Sequence, residues 1–401
     1  MLIVHKYGGT SVGSLERIES VASRVATVRK KGNDVVVVVS AMSGETNKLI
    51  DFAHHFSENP SKREMDMLLS SGERVTAGLL AIALQESGID AIAMTGRQAG
   101  IKTDAFHTYA RIESIDPKAM HTQLSKGKVV VVAGFQGINE DGAVTTLGRG
   151  GSDLSAVAIA ASLNADACEI YSDVDGIYTT DPRIEPKAKK MDFISYDEML
   201  ELASLGAKVL QNRSVELAKK LNVKMVAKSS FSDAEGTIIG EESKDMEAVL
   251  VSGIALDRNQ ARVTIRDVVD RPGIAAEIFT NLADKQVNID MIIQNASADK
   301  KTNLGFTIAG SEISKAKNVI ESFDHDIGSM DFDDSVCKVS VVGVGMKSHS
   351  GVAATAFSAL ANEGINIEMI STSEIKISMI IAEKYAELAV RTLHAVYKLD
   401  L

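Results

Sequence analysis

The sequence predicts an α/β domain with an open, mostly parallel sheet, followed by two α+β modules of the ferredoxin-like βαββαβ type. Short β-branched runs that are apolar on both faces, such as Val35–Val39, indicate parallel strands covered by helices. Stretches with helical apolar spacing alternate with these runs. The C-terminal part of the chain contains an internal repeat. We therefore expect the first domain to span residues 1–240.

The first domain is expected to bind its ligand beyond the carboxyl ends of its strands. The runs LIVHKYG, DVVVVVSAM, KVVVVAGFQG and ACEIYSDVDG are strand-like, and helical stretches lie near Arg63–Gln85 and Ser152–Leu163. Ligands of open α/β sheets lie outside the carboxyl ends of parallel strands. Within these runs, the residues just past the four predicted strand ends, which we expect to face one crevice, are Gly8, Ser40, Gly134 and Asp173.

The two modules are predicted from a repeat in the tail. PGIAAEIFTNLADKQVNIDMI begins at Pro272, SGVAATAFSALANEGINIEMI begins at Ser350, and the two align without a gap. Identical residues pair as Gly273 with Gly351, Phe279 with Phe357, Leu282 with Leu360, Asn288 with Asn366 and Met291 with Met369. With the strands ARVTIRDV and KVSVVGVG before them, both copies have the pattern strand, helix, strand, strand, helix.

The second copy lacks a closing strand, whereas a spare strand from Ala248 to Leu256 precedes the first copy. We expect this strand to complete the second module, so that the first is nested inside it. The predicted boundaries are 261–337 for the first module and 248–260 plus 338–401 for the second. The acidic stretch GEESKDME would link them to the first domain, and Met246 within it would allow an internal start that yields both modules alone.

The composition is ordinary for a soluble globular protein and fits a cytoplasmic location. The formal net charge of -11 argues against non-specific binding to nucleic acids or anionic membranes. Cys168 and Cys337 lie far apart and form neither a metal-type cluster nor a disulfide framework, which fits a reducing compartment. The N-terminus does not resemble a signal peptide, and the longest apolar runs are too short to span a bilayer.

Two glycine-rich turns before helices are candidate anion sites. KYGGTSVGS, from Lys6 to Ser14, has a lysine at a strand end and then paired glycines. Glycines let backbone N–H groups approach phosphate oxygens, and a helix N-terminus adds positive potential. TLGRGGSDLS repeats this device, with Ser152 or Asp153 as a possible helix cap. Each turn alone, like the polar loop YSDVDGIYTTDPR, is equally compatible with a purely structural role.

Together these stretches resemble the amino acid kinase family, and in particular its members that phosphorylate L-aspartate. KYGGTSVG is similar to the opening Lys-Phe-Gly-Gly-Thr-Ser-Val signature, with Tyr7 in place of phenylalanine. VVVVSAMSGETN, LLSSGERVTA, TTLGRGGSDLSA, YSDVDGIYTTDPR and LGAKVLQNRSVELA are similar to further motifs, in the same order. The tail modules resemble ACT-type regulatory domains. The segment LQNR departs from the pattern, because many members have His-Pro at its two central positions.

The resemblance implies transfer of a phosphoryl group from ATP to the side-chain carboxylate of L-aspartate, giving 4-phospho-L-aspartate and ADP. An ionised carboxylate needs no general base, so catalysis would depend on positioning and charge neutralisation. Lys6, Lys208 and Mg²⁺ would supply positive charge, and Asp153 would hold the lysines. The ATP-binding residues implied are Lys6, Tyr7, Gly8, Gly9, Ser172, Asp173, Tyr178, Asp181, Arg183 and Lys208. The aspartate-binding residues implied are Ser40, Thr46, Glu73, Arg149, Gly150, Gly151 and Ser152.

Two members of the aspartate-binding set would bind the charged groups of the substrate. By resemblance, Arg149 would bind a carboxylate in a bidentate fork and Glu73 would pair with the ammonium group. The sequence pattern alone favours a solvated helix position for Glu73. His54, His55 and His107 have no ligand spacing with acidic or cysteine partners, so we expect them at surface or loop positions. No protein side chain is assigned as a metal ligand.

The resemblance further implies that the tail binds amino-acid effectors and joins copies of the chain into a homo-oligomer, with a separate regulatory subunit as a further partner. Lysine, threonine or both together are the candidate inhibitors. The implied effector-binding residues are Asp270, Gly273, Ala275, Gln294, Asn366 and Ile367. A different small-molecule kinase of the same fold and a catalytically silent amino-acid sensor remain alternatives, although intact Lys6, Asp153 and Lys208 weigh against the sensor.

Overall fold

The computed structural model describes residues 1–204, 210–242, 250–295, 301–323, 327–349 and 351–401, and the chain divides into two compact units. The first unit contains residues 1–178, 190–204 and 210–242. The second contains residues 179–189 and the described residues from 250 onward. Lys208, Met246 and Ala248 lie outside the described residues, so the predictions that fall on them stay predictions.

The first unit is built on an eight-stranded sheet with the strand order β10-β12-β11-β9-β1-β2-β6-β3. Every pair of neighbours in it is parallel except β11 and β12. A smaller four-stranded sheet has the order β5-β4-β7-β8. The elements are β1 Leu2–Tyr7, α1 Leu15–Lys30, β2 Asp34–Val39, α2 Glu45–Phe56, α3 Lys62–Leu69, α4 Ser71–Glu86, β3 Ala91–Met94, β4 Ile101–Thr103, β5 Ile112–Ile115, α5 Lys118–Leu124, β6 Val129–Ala133, β7 Gln136–Ile138, β8 Val144–Thr146, α6 Gly151–Leu163, β9 Ala167–Ser172, β10 Phe193–Ser195, α7 Tyr196–Ser204, α8 Asn212–Leu221, β11 Met225–Ser229 and β12 Thr237–Gly240.

The central strands are buried on both faces, which confirms the predicted open α/β fold. All residues of Val35–Val39 and Val129–Val132 are fully buried. Helices α1 and α4 pack over one face of the sheet, and α6 packs against β1, β2 and β9. The helical stretch 62–86 is long and apolar enough to cross a membrane, but half of its apolar window is buried within the fold. Its residues Leu80 and Leu84 are buried in the core of the first unit.

The helical stretch predicted near residues 63–85 is confirmed, with one interruption at Ser70, where the Ser70 and Ser71 hydroxyls donate to the carbonyls of Met67 and Leu68. Such side-chain bonds compete with the regular helical pattern. Helix α6 is not capped by a side chain, because its N-cap is Gly150 with φ of 72°. The expected capping residues Ser152 and Asp153 instead lie within its first turn.

The second unit contains a six-stranded sheet with the order β14-β15-β13-β16-β18-β17. Its elements are β13 Gly253–Val269, α9 Ile274–Asp284, β14 Ile289–Asn295, β15 Lys301–Ile308, α10 Ile313–Ile320, β16 Ser329–Val342, α11 Val352–Asn362, β17 Ile367–Thr372, β18 Lys376–Ala382 and α12 Ala386–Val396, with short 3₁₀ turns between them. Both repeat copies therefore have the predicted order of strands and helices.

The two longest strands, β13 and β16, each serve both repeat copies. Residues 253–257 of β13 pair with 338–342 of β16, whereas residues 262–266 pair with 329–333. The beginning of β13 thus lies beside the first strand of the second copy. This pairing supports the proposed nesting of one module inside the other. Each copy also has its own apolar core, centred on Phe306 in the first and Leu393 in the second.

The segment 179–189 belongs to the second unit although it follows a strand and loop of the first. Ile184 packs against the core of the second module. The Thr179 hydroxyl hydrogen-bonds His394 Nε2 at 2.9 Å, and its carbonyl accepts from Ile254 N at 2.7 Å. Lys189 Nζ donates to the Leu401 carbonyl at 2.7 Å. Residues 179–189 fall inside the range 1–240 that we predicted for the first domain.

Candidate active site

Four strand ends meet at one edge of the large sheet, as predicted. Gly8, Ser40, Gly134 and Asp173 directly follow β1, β2, β6 and β9, which are neighbours in the order β9-β1-β2-β6. Gly8 N donates to the Tyr171 carbonyl at 3.2 Å, and Ser40 N donates to the Tyr7 carbonyl at 3.1 Å. Gly134 N donates to the Val39 carbonyl at 3.0 Å. The crevice in which a ligand is expected to bind lies at this edge, beyond the carboxyl ends of the strands.

An ion pair between Lys6 and Asp153 lies in this crevice. Lys6 Nζ is 2.7 Å from Asp153 Oδ1, and the two side chains are only 11% and 10% exposed. Asp153 lies in the first turn of α6, where the helix dipole favours a negative charge. A buried ion pair of this kind is weak evidence for stability, because desolvation opposes the attraction. It does fix an ammonium group at the carboxyl end of the central strand.

Close packing leaves little room for a side chain at four glycines around these strand ends. A Cβ atom on Gly134 would lie 3.0 Å from the Ser152 side chain, and one on Gly8 would lie 3.3 Å from Lys6 Nζ. Gly150 has positive φ, and a Cβ on it would lie 2.6 Å from the Gln211 side chain. A Cβ on Gly151 would lie 2.7 Å from that of Leu147. Bare backbone therefore lets the start of α6 approach β6 and the Lys6 ammonium.

Glu73 is buried rather than solvated, contrary to the expectation from its sequence pattern alone. It lies in the first turn of α4 and is 4% exposed. Its Oε1 accepts from Ala41 N at 3.1 Å, whereas its buried Oε2 accepts no hydrogen bond from the described residues. Burial raises the pKa of Glu73 to about 7. The free oxygen is suited to a positively charged ligand group, which would restore the ionised form.

Other residues of the predicted aspartate set surround the same strand ends. Ser40 and Thr46 are half-buried on the loop between β2 and α2 and in the first turn of α2. Ser152 is nearly buried beside Gly134. Arg149 is exposed, and its guanidinium makes no hydrogen bond or ion pair with the described side chains, whereas its carbonyl accepts from Gln211 Nε2 at 2.7 Å. The Arg149 guanidinium is therefore available to an anionic ligand.

A carboxylate that the sequence analysis missed stabilises the loop before Arg149. Asp66 is fully buried, accepts from the Thr146 hydroxyl at 2.5 Å and from Thr108 N at 3.0 Å, and contacts His107 Nδ1 at 2.6 Å. His107 lies in a loop, as predicted, and its acidic partner is distant in sequence. Asp66 is 41 residues away in sequence, so no local spacing signals the pair.

The floor of the crevice contains an aromatic and charged cluster. The rings of Tyr7 and Tyr171 are buried and stacked, with centroids 4.7 Å apart. His5 contacts Glu169 at 3.3 Å, and burial lowers the pKa of His5 to about 4. Burial alone would raise the pKa of Glu169, but contact with His5, a hydrogen bond from Tyr171 and the charge of Lys228 together keep it below its usual value. Any contact of Tyr7 with a nucleotide must come from its backbone, because its ring lies in the core.

The predicted nucleotide residues fall in both units. Ser172 and Asp173 follow β9 in the first unit, and the Tyr178 hydroxyl donates to Asp175 Oδ1 at 2.9 Å. Asp181 and Arg183 belong to the second unit and form an ion pair at 2.7 Å. Lys208 lies outside the described residues. The first unit therefore brings together Lys6, Gly8, Ser172 and Asp173, whereas a common site with Asp181, Arg183 and Lys208 stays a prediction.

The predicted effector residues lie around α9 and on β14 in the first repeat copy and at the start of β17 in the second. Asp270 and Gly273 precede α9, which contains Ala275, and Gly273 has φ of 99°. Gln294 is exposed on β14. Asn366 is exposed just before β17, whose first residue is the half-buried Ile367.

Strands β14 and β17 are opposite edges of the six-stranded sheet, yet their residues meet across its face. Met291 and Met369 share one apolar cluster, so the sheet curls on itself. Arg262 Nη1 in β13 contacts Glu368 in β17 at 2.7 Å, and Lys338 in β16 contacts Asp290 in β14. Each repeat copy thus contributes one cation and one carboxylate to two reciprocal ion pairs.

Comparisons with known proteins agree with both parts of this architecture. The amino acid kinase family matches residues 1–229, and the ACT domain matches residues 266–322 and 339–397. An aspartokinase of Helicobacter pylori (strain J99) is 59% identical over 100% of both chains. An aspartate kinase of Pseudomonas putida is 52% identical over 100% of this chain and 98% of its own.

Solved structures show the same fold over the whole chain. Aspartokinase III of E. coli in complex with aspartate and ADP is 25% identical, with a TM-score of 0.79 and 99% of each chain covered. An aspartate kinase of Clostridium acetobutylicum, 22% identical, has a TM-score of 0.81 over 98% of this chain and 100% of its own. The predicted fold class, a kinase-type α/β domain followed by two ACT-type α+β modules, is thereby confirmed.

Proposed function

This chain belongs to the aspartokinases of the amino acid kinase family, and from that premise we propose which of its residues perform the reaction. The chain transfers a phosphoryl group from ATP to the side-chain carboxylate of L-aspartate and is subject to feedback inhibition through its C-terminal modules. The observation that supports our assignment best is the Lys6–Asp153 ion pair at the edge where four strand ends meet.

Catalysis depends on charge neutralisation at this edge. The nucleophile is an ionised carboxylate that must approach a polyanionic phosphate chain, so no proton has to be removed. Lys6 offsets the negative charge of the transferring group, and Asp153 keeps its ammonium in place. Lys208 is proposed as a second cation. The backbone of Gly8 and Gly9 approaches the phosphates, because neither residue carries a side chain in their way. The Gly9 amide is the proposed donor, since the Gly8 amide already donates to the Tyr171 carbonyl.

L-Aspartate is recognised through both of its ionic groups. Glu73 Oε2, buried and without a described hydrogen-bond partner, pairs with the ammonium group. Arg149 binds the α-carboxylate with its planar guanidinium. Ser40, Thr46 and Ser152 donate or accept hydrogen bonds around the substrate. The bare backbone of Gly150 and Gly151 allows the substrate to approach the start of α6.

The nucleotide lies beyond β1 and β9, where Ser172, Asp173 and Tyr178 contact it. For Asp181 and Arg183 a nucleotide contact is proposed from the family resemblance alone. Mg²⁺ fits this site as an ion held mainly by phosphate oxygens, which is its usual mode in kinases. Among the described residues, no three His, Cys, Asp or Glu side chains lie close enough to hold an ion themselves. When bound, Mg²⁺ would neutralise phosphate charge, and the residues of the chain would orient the two substrates around it.

The effector site is proposed at Asp270, Gly273, Ala275 and Gln294 of the first repeat copy, with Asn366 and Ile367 of the second. Lysine, threonine or both together are the effectors. Aspartokinase III of E. coli has been solved with lysine and aspartate, which supports this class of effector. We further propose a cytoplasmic homo-oligomer joined through the ACT-type modules. A separate regulatory subunit, started at Met246, would be an additional partner.

One experiment tests the assignment of substrate. The purified chain is assayed for ADP release with ATP, Mg²⁺ and, in turn, L-aspartate, L-glutamate or UMP. We expect release with L-aspartate alone. Release with another acceptor would instead indicate a different small-molecule kinase of the same fold. The absence of release with every acceptor would favour a catalytically silent amino-acid sensor.

A further inference from the structure

The loop that contains Arg149 is held by side chains from outside it, and two of them flank the start of α8. Gln211 Nε2 donates to the Arg149 carbonyl at 2.7 Å. Arg213 donates to the Leu147 carbonyl at 2.6 Å and to the Ala110 carbonyl at 3.0 Å. The guanidinium of Arg213 also lies 4.6 Å from the centre of the Tyr109 ring. The backbone is thus fixed on both sides of Gly148.

Gln211 is closely fitted to this loop. A Cβ atom on Gly150 would lie 2.6 Å from Gln211 Cγ, so the side chain passes directly over the Gly150 backbone. Its Oε1 is buried and accepts no hydrogen bond from the described residues. The bond to the Arg149 carbonyl is therefore the polar contact that orients the amide within the described part of the chain. Only the NH₂ group of an amide can donate to a carbonyl, so the atom of Gln211 that faces the Arg149 carbonyl is Nε2 and the other is Oε1.

We propose that Gln211 is a positioning residue for the aspartate site and acts through Arg149. Gly148 and Gly150 both have positive φ, so the peptide units around Arg149 have the conformational freedom of glycine unless other groups restrain them. The Gln211 amide removes that freedom at the Arg149 peptide itself. The direction of the guanidinium fork is thereby set before aspartate binds. This inference rests on the proposed role of Arg149 in binding the α-carboxylate.

Gln211 lies in the LQNR segment, at one of the two positions where many members of the family have His-Pro. This departure does not argue for a role of Gln211, which rests on the contacts described above. Gln211 also lies three residues after Lys208, the proposed second cation. The same short segment therefore supplies a group for the phosphoryl site and a restraint on the aspartate site. We therefore expect a displacement of the backbone of this segment to alter the affinity for aspartate.

The test replaces Gln211 with glutamate, which has the same shape but cannot donate to the carbonyl when ionised. We expect Gln211→Glu to raise the KM for L-aspartate about tenfold, since a lost hydrogen bond of this kind corresponds to about that factor. The KM for ATP and kcat should stay within about twofold. The matched control is Gln85→Glu, because the Gln85 amide likewise donates to a backbone carbonyl, that of Ala91 at 2.9 Å, at the far end of α4. The control should leave all three constants unchanged.

A double-mutant cycle with Arg149→Ala separates the inference from the function on which it rests. If Gln211 acts through Arg149, the Gln211→Glu effect on the aspartate KM should vanish once Arg149 is alanine. A Gln211→Glu effect that persists undiminished in the Arg149→Ala background would overturn the inference. An Arg149→Ala variant with an unchanged aspartate KM would overturn the proposed role of Arg149 itself. Equal loss of aspartate and ATP binding in Gln211→Glu would assign the residue to the fold.

Discussion

Replacing Glu73 by glutamine should stabilise the protein and at the same time remove its affinity for aspartate. Glu73 is 4% exposed, and burial raises its pKa from 4.5 to about 7. The folded state therefore disfavours the ionised carboxylate more than the unfolded state does. At about 1.4 kcal/mol per pKa unit, this pKa difference lowers the free energy of unfolding at high pH by about 3 kcal/mol.

The sign of the pH dependence follows from the raised pKa. Below about pH 4.5 the carboxyl is protonated in both states and carries no such penalty, and the penalty grows as the pH rises through 7. Glutamine carries no charge at any pH. Because its amide would replace Oε2 where no described partner exists, part of the gain is lost. We expect Glu73→Gln to raise the free energy of unfolding by about 1 to 3 kcal/mol at pH 8 and by little at pH 5.

Substrate affinity should change in the opposite direction. The ammonium of aspartate would face an uncharged amide, and the loss of one partner from a desolvated ion pair costs about 3 to 5 kcal/mol. The aspartate KM of Glu73→Gln should therefore rise at least about 100-fold. In the wild type, the same KM should rise as the pH falls below about 7, because only the ionised carboxylate binds the ammonium.

The assays are urea denaturation at pH 5 and pH 8, and ADP release at varied aspartate concentration. Glu86→Gln is the control, because Glu86 is an exposed residue at the end of the same helix and its loss removes the same formal charge. A Glu73→Gln variant that is less stable than wild type at pH 8 would refute the burial argument. An aspartate KM that is flat between pH 8 and pH 6 would refute the proposed ammonium pairing.

Three further substitutions test the remaining roles. Lys6→Ala should lower kcat by a factor of about 10² to 10³ with a much smaller change in the aspartate KM, because the charge of Lys6 matters most in the transition state. Near-normal turnover of this variant in steady-state assays would exclude a catalytic role for Lys6. Arg149→Lys should weaken aspartate binding and spare ATP binding, since lysine lacks the planar guanidinium. Calorimetry that shows equal losses of affinity for aspartate and for ATP would contradict this role. Asp270→Ala or Asn366→Ala should abolish inhibition by lysine, threonine or their mixture while uninhibited activity stays within a few-fold; dose–response curves that match wild type would disprove the proposed effector site.

The strand ends of the first unit were predictable because their signal is local. Val35–Val39 is apolar at every position, and the residue after it, Ser40, is the first polar one, so the end of β2 follows from the sequence alone. The Lys6–Asp153 pair was predicted only by resemblance, since nothing near Lys6 indicates a partner 147 positions later. Asp153 was nonetheless placed correctly at a helix start, because glycines precede it.

The contacts that could not be predicted are those between segments far apart in sequence. Asp66 resembles any charged residue of an amphipathic helix, and only packing of α3 against β8 brings it to Thr146 and His107. Gln211 likewise gives no local sign that it contacts Arg149. The absence of a side-chain cap on α6 has the same origin: close packing of Gly150 against Gln211 determines how the helix begins.

Because residues 179–189 belong to the second unit, the chain cannot be cut at one point into two fragments that match the two units. A protease that cuts only within the acidic stretch 240–247 would leave Ile184 and Thr179 on the N-terminal fragment, although their side chains are packed in the other unit. The fragments would then stay associated until they are denatured. A tail produced alone from Met246 would lack this peptide and expose the part of its apolar core that Ile184 packs against. Added in trans, a synthetic peptide of residues 179–189 would be its natural complement.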